Sequence, residues 1–483
     1  MLGALAIAGA GRSLIDGSAA GASSAAANAI NGIPAARTPA FHSRPDLRIP
    51  GLAVDVDTGT TASGLIFLAP YGGKHGQKGA VIVDGSGSPV WEQPLNGLET
   101  DNFRVQTYQG RPALTWWEGK IELGHGVGSY VIANGAYEPI KRVQAGNGLN
   151  GDLHEFLLTS RGTALFTAYA IRNADLSSVG GSRNGTIQDA IFQEVDLASG
   201  RVLLEWHSLD HIALAESYWP VGKRWDYVHL NSIDVDVADE NSLFVSSRNT
   251  HTIYKIDRKS GEIIWRLGGK RSDFELGTGA VFAWQHDARS HPGGVITIFD
   301  NEGAPFVGDT PTRGIVLVVD EQAMTASLQS QYLHPVPLQA ASKGNVQLLA
   351  NGNVFVGWGA EPFVSEFSAS GELLFDARLG AGYQGYRAFR IPWSATGEGS
   401  PSVVAKRDGA SGTELWVSWN GDTRVVRWLV LGGGGSGALK SLGTFARSGF
   451  ETAMRVDGSP RRLVVRGLDA AGRTLGQSAT LRP

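Results

Sequence analysis

The sequence predicts an all-β protein: a six-bladed β-propeller over 48–397, followed by a small fibronectin-type β-sandwich over 398–483. Three observations predict it. Short apolar runs rich in Val, Ile, Phe, Trp and Tyr alternate with Gly, Asn, Asp and Ser turns from about residue 48 onward. No stretch has the length and spacing of a sustained helix. One kind of hairpin recurs six times at intervals of roughly 40–60 residues, the period of a propeller blade.

The elements follow in order. Segment 1–47 opens with the apolar run MLGALAIAGAG and continues as SAAGASSAAANAINGIPAARTPA, small and polar. That is the pattern of a secretory leader and linker, although no basic residue precedes the apolar run. It predicts a secreted or extracytoplasmic protein; a disordered Ala/Ser tail is the other reading. No stretch is long enough for a transmembrane helix. The repeated hairpins are VIVDGSGSPVWE, YVIANGAYEPIKRV, QEVDLASGRVLLEW, YKIDRKSGEIIWRL, VLVVDEQAMTASLQ and SEFSASGELLFDA. In each, an apolar strand, a short polar turn and a second apolar strand follow one another. Another strand pair precedes each hairpin, as in NSIDVDVADENSLFVSS, which makes four strands per repeat. After a linker-like TGEGSPSVVAKRDGASG come ELWVSWNGDTRVVRWLVL and RRLVVRGLDAAGRTLGQSATL, the alternating strands of the sandwich, with GGGGSG (432–437) as a flexible loop.

Bulk composition narrows the functional classes. With 483 residues there is room for a large core. Charged residues are 18% and the formal net charge is −4, so no basic surplus points to nucleic acid. The absence of cysteine excludes disulfides, thiolate nucleophiles and Cys-based zinc sites.

Three of the eleven histidines share a setting. His154, His229 and His286 each stand at the start of the first strand of a repeat. In a propeller that strand lines the central channel, so three successive blades aim imidazoles at one funnel. Arg248 ends the antiparallel second strand of the His229 repeat and returns to the same end. Three histidines from three blades permit zinc with an open position. Arg248 favours an anion instead, because its guanidinium forks onto tetrahedral oxyanions. Two histidines would then donate to the same oxygens and the third would be free to act as a nucleophile. Trp284, Tyr227 and Phe156 are the aromatics placed to hold a ring, with blade packing the stronger reading for Phe156.

The blocks YVHLNSIDVDVADENSLFVSSRNTHTIYKID and WQHDARSHPGGVITIFDNE resemble the arylsulfotransferase (arylsulfate sulfotransferase) family, nearest its fungal and actinobacterial-type branch. The resemblance implies a six-bladed propeller with its site in the central channel. It also implies transfer of a sulfuryl group from an aryl sulfate ester to a phenol, without a nucleotide donor; no cofactor is expected, and no metal, because Arg248 beside the three histidines favours an anion. Carried over residue by residue, it makes His286 the nucleophile that becomes sulfohistidine. It makes His154, His229 and Arg248 the groups that hold the sulfuryl oxygens, and Asn231 an orienting residue. A propeller that only binds anionic aromatic ligands and a metal-dependent hydrolase on the three histidines are the competing expectations.

Overall fold

In the computed structural model the described residues are 40–48, 50–72, 78–93, 97–302, 310–380, 382–409, 412–435 and 437–483. Most of segment 1–47, with its leader-like run, lies outside them. The described chain is almost entirely β, with one short α-helix, Ser208–His211, in the connection after the third sheet.

Six antiparallel four-stranded units follow one another along the chain. The first pairs Tyr383–Ile391, Leu65–Gly72, Val81–Val83 and Pro89–Glu92. The second runs Glu99–Tyr108, Arg111–Glu122, His125–Ala133 and Pro139–Val143. The third is Gly151–Leu158, Thr163–Ala174, Gly185–Asp196 and Val202–His207. A single Gly128–Gly151 pairing links the second and third. The fourth is Leu230–Val235, Ser242–Ser247, Thr252–Asp257 and Ile263–Gly268. The fifth is His286–His291, Val295–Asp300, Arg313–Asp320 and Thr325–Leu333. The sixth is Asn345–Leu348, Val354–Gly357, Phe363–Phe367 and Leu373–Arg378, with Ala53–Asp57 added on its outer edge. Every hairpin read from the sequence forms the last two strands of one unit.

The first strand of each unit touches the first strands of the units before and after it, and the ring of contacts returns to Tyr383–Ile391. An apolar cluster fills each space between neighbours. Phe192 and Trp206 meet Leu230 and Tyr254 between the third and fourth units. Trp265 and Phe274 meet Ile298 and Leu317 between the fourth and fifth. Full burial of each such side chain contributes about 1.5–3 kcal/mol, which is why strand residues on both faces are apolar here.

Beyond residue 398 a three-stranded and a four-stranded sheet share one core of Leu415, Val417, Trp428, Val430, Met454 and Val465. Gly432 and Gly433, expected in a loop, belong to the strand Arg427–Gly433. A Cβ at Gly432 would lie 2.4 Å from Leu442 Cδ1, so the glycine there makes room for a close-packed neighbour. The end of the 1–47 segment is not loose either. Leu47 is buried, Phe41 packs on Phe450 at 4.5 Å, and Ser43 Oγ hydrogen-bonds Ser418 Oγ at 2.7 Å. These late sheets lie against the first units: Tyr137 Oη donates to the Gly421 carbonyl at 2.7 Å.

Candidate active site

The starts of the first strands are irregular. Ladder register breaks between Asp101 and Arg104, between Leu230 and Ser232, and between His286 and Arg289. His229 and Trp284 adopt left-handed φ values of 56°. Non-glycine residues are held there only when their surroundings over-determine them. The breaks are bulges, which turn side chains out of the normal alternation.

Those turns bring His154 and His229 ring to ring, 4.7 Å apart and edge to face. A fourth histidine, His125, lies 5.2 Å from His229 and 5.8 Å from His154. His154 Nδ1 donates to Asp152 Oδ2 at 2.6 Å, and His229 Nδ1 donates to Asp226 Oδ2 at 2.6 Å. Carboxylates only accept, so both imidazoles carry their proton on Nδ1 and turn Nε2 elsewhere. His125 Nε2 donates to the same Asp226 oxygen at 3.1 Å. Burial would raise the Asp226 carboxyl, but the two histidines on it hold it well below its ordinary range. Burial also lowers His125, yet Asp226 outweighs it and the net shift is upward. For His229 burial wins over Asp226, with His154 and His125 adding to it, and the pKa falls to about 4.

His286 is held differently. Asn301 Nδ2 donates to the carbonyls of Ala340 (2.8 Å) and Lys343 (3.1 Å). Its Oδ1 therefore faces His286 Nδ1 at 2.7 Å and accepts that proton. Burial first, then the positive charge of Arg248, hold His286 well below the usual imidazole range. His286 is thus a neutral imidazole with its lone pair on Nε2.

Arg248 is clamped from several sides. Its guanidinium carbon stands 5.5 Å from the Trp219 ring and 5.2 Å from the Trp284 ring. Nη1 donates to Asn249 Oδ1 at 3.2 Å and Nη2 reaches the Ala341 carbonyl at 3.5 Å. Burial lowers it to about 10, so it stays cationic at neutral pH.

The other expected residues divide. Asn231 Nδ2 donates to the Gln285 carbonyl at 2.7 Å and so fixes the peptide entering His286. Trp284 packs on Arg248. Tyr227 is fully buried in the core between the third and fourth units and donates to the Ile212 carbonyl at 3.3 Å. Its ring belongs to that core and not to the histidine group, because the left-handed backbone at His229 breaks the strand alternation between them. Phe156 stacks on Tyr130 at 4.3 Å, also in a core. Sequence reading passed over His125, Asp152, Asp226, Asn301 and Trp219. The acids left a trace, since each stands two or three residues before its histidine in DLH and DYVH.

Two groups offer clustered ligand atoms for a cation: His125, Asp152 and His154, and His125, Asp226 and His229. In both, carboxylate oxygens already accept imidazole protons, and a cationic Arg248 and a His125 of raised pKa stand near. That charge suits an anion better than a dication.

The arylsulfotransferase (ASST) family profile matches residues 104–380, more than half of the chain. The chain belongs to the arylsulfotransferase family. The matched region contains every histidine of the site as well as Arg248. No curated protein matches. Among solved structures, this arylsulfotransferase-family chain is similar to a protein of unknown function from Bacteroides caccae, at 11% identity over 68% of this chain and 98% of that one, with a TM-score of 0.40. It is similar to a periplasmic gluconolactonase from Pseudomonas aeruginosa at 12% identity, covering 81% and 99%, with a TM-score of 0.36. Likeness of this degree bears on no site residue.

Proposed function

We propose that this arylsulfotransferase-family chain is a secreted or extracytoplasmic six-bladed propeller with a C-terminal sandwich. It transfers a sulfuryl group from an aryl sulfate ester to a phenol through a sulfohistidine. The observation that carries the reading is the state of His286: neutral, with Nδ1–H on Asn301, its lone pair on Nε2, and the charge of Arg248 acting on the ring.

The Nε2 lone pair attacks sulfur, and the sulfur–oxygen bond to the aryl group breaks with its electron pair on the aryl oxide. Arg248 and the Nε2 sides of His154 and His229 face the three sulfuryl oxygens. The transition state is loose, with charge on those oxygens, so fixed donors do most of the work. With its pKa lowered to about 4, His229 is neutral and donates through Nε2 only after taking up a proton. A bound anion supplies the reason to do so, with Asp226 behind the ring to stabilise the imidazolium. A phenol then attacks the sulfohistidine, and the nitrogen–sulfur bond breaks to return neutral His286.

Mixing the protein with an aryl sulfate alone, followed by acid-free quenching and intact-mass measurement, tests this. One added sulfuryl group, mapped to His286 and lost on adding phenol, is the expected result. Turnover by ternary-complex kinetics with no adduct would defeat it, and binding with no turnover would leave a ligand-binding propeller.

A further inference from the structure

The sulfuryl-holding groups come from the third, fourth and fifth units. The other half of the same funnel end carries a second polar group that the steps above do not use. Lys343 stands two residues before Asn345–Leu348 and has a left-handed φ of 69°. Its segment is joined to the site: Asn301, the partner of His286, donates to the carbonyls of Ala340 and Lys343, and Arg248 reaches the Ala341 carbonyl. Its Nζ donates to Gln384 Oε1 at 2.6 Å and lies 4.6 Å from the centre of the Tyr71 ring. Asp101, at the start of the first strand of the second unit, is buried at 1% exposure. Its Oδ1 has no hydrogen-bond partner among the described residues.

We propose that Lys343 is the proton-transfer residue for the phenol, and that Asp101 tunes it from behind. This rests on the sulfuryl-transfer reading above. In the second half-reaction the neutral Nζ takes the acceptor O–H proton and becomes an ammonium. The phenol oxygen bonds to sulfur, and the nitrogen–sulfur pair returns to His286 Nε2. The first half-reaction is the same chemistry in reverse, so the ammonium returns its proton to the departing aryl oxide. The Tyr71 ring under Nζ places an aromatic surface next to the amine.

The electrostatics agree with that role. Burial lowers Lys343, against the pull of Asp101. Burial raises Asp101; Lys343 and Arg387 act downward on it, Glu99 and Asp152 upward. A buried amine of lowered pKa gives up its proton more readily than an ordinary lysine.

The experiment uses 4-nitrophenyl sulfate as donor, because nitrophenolate leaves without a proton. For Lys343→Met, adduct formation on His286 from this donor should fall far less than transfer to unsubstituted phenol, and a measurable adduct also shows that the variant folds. Transfer from that adduct to unsubstituted phenol should fall by roughly 10²–10⁴-fold, and transfer back to 4-nitrophenolate should change little. For Asp101→Asn, the carboxylate that raises Lys343 is gone, so the pH at which phenol transfer rises should move down. Equal transfer losses for phenol and nitrophenolate, or no loss, would overturn the role of Lys343. An unmoved pH profile in Asp101→Asn would overturn the tuning by Asp101. Failure of the wild type to form an adduct would overturn the sulfohistidine reading itself, and with it this proposal.

Discussion

At the residue scale, the site is a set of imidazoles made unequal by one neighbour each. His229 and His154 have carboxylates on Nδ1, whereas His286 has a neutral amide. A carboxylate partner stabilises the imidazolium and suits a ring that donates; an amide partner fixes the tautomer without adding charge and suits a ring that attacks. The histidines that begin first strands and the arginine that ends the next strand were legible in the sequence, because strand starts share an end of the repeat. Asn301 was not, because its role comes from a contact across the fold and no local pattern records it. Arg248 carries the sharpest test. Between two indoles its planar guanidinium is held with Nη1 on Asn249 and Nη2 toward the Ala341 carbonyl, a geometry that an ammonium cannot copy. Arg248→Lys is expected to lower turnover by roughly 10²–10³-fold, with donor Kd changed far less, since the loss falls where charge develops. An intact turnover number, read from initial rates at saturating donor, would make the arginine a tie between the fourth and sixth units instead.

At the element scale, the bulged strand starts decide which side chains leave the regular alternation. Tyr227 was expected at the site with His229, and the left-handed turn at His229 separates them. Bulges leave little trace in sequence, so the strands could be read there but the directions of the side chains at their starts could not. The strand His125–Ala133, the third of the second unit, is tightly fitted at its start without a bulge. The Trp117 ring lies against Gly126 and Gly128, and a Cβ at Gly126 would come within 2.6 Å of Trp117 Cζ2 and 2.5 Å of the Leu153 nitrogen. Gly126 N–H also donates to Asp152 Oδ1 at 2.6 Å, and Asp152 holds His154. Gly126→Val should therefore destabilise by about 1–3 kcal/mol through overpacking, and should also slow turnover by disturbing the Asp152–His154 pair. Urea denaturation with a parallel rate assay checks both. A stability loss with full activity would separate this strand from the site.

At the scale of the whole molecule, a buried ion cluster joins the units beneath the histidines. Glu155 accepts from Arg104 at 2.8 Å and from Arg289 at 2.6 Å, and Arg387 lies 3.3 Å away. Arg387 also pairs with Asp287 at 2.8 Å and donates to Asn102 Oδ1 and the Asn231 carbonyl, each at 2.9 Å. Five units thus meet in one network, and Asn231 passes it to the peptide before His286. Burial alone would raise the Glu155 carboxyl, but Arg289, Arg387 and Arg104 together hold it well below its ordinary range. Removing its charge leaves three buried guanidiniums short of a counter-ion, and breaking one partner of such a cluster costs roughly 3–5 kcal/mol. Glu155→Gln should lower the denaturation midpoint by a matching amount at pH 7. The pH dependence gives the sign. A carboxyl whose folded pKa is depressed contributes stability that is present above its unfolded pKa, about 4.3, and is lost as pH falls below that value. Wild type should therefore lose stability on acidification below about pH 4.3 faster than Glu155→Gln, and the gap between them should narrow. A gap that stays constant from pH 7 to pH 3 would mean that the cluster holds the units by packing and hydrogen bonds, with the Glu155 charge contributing nothing.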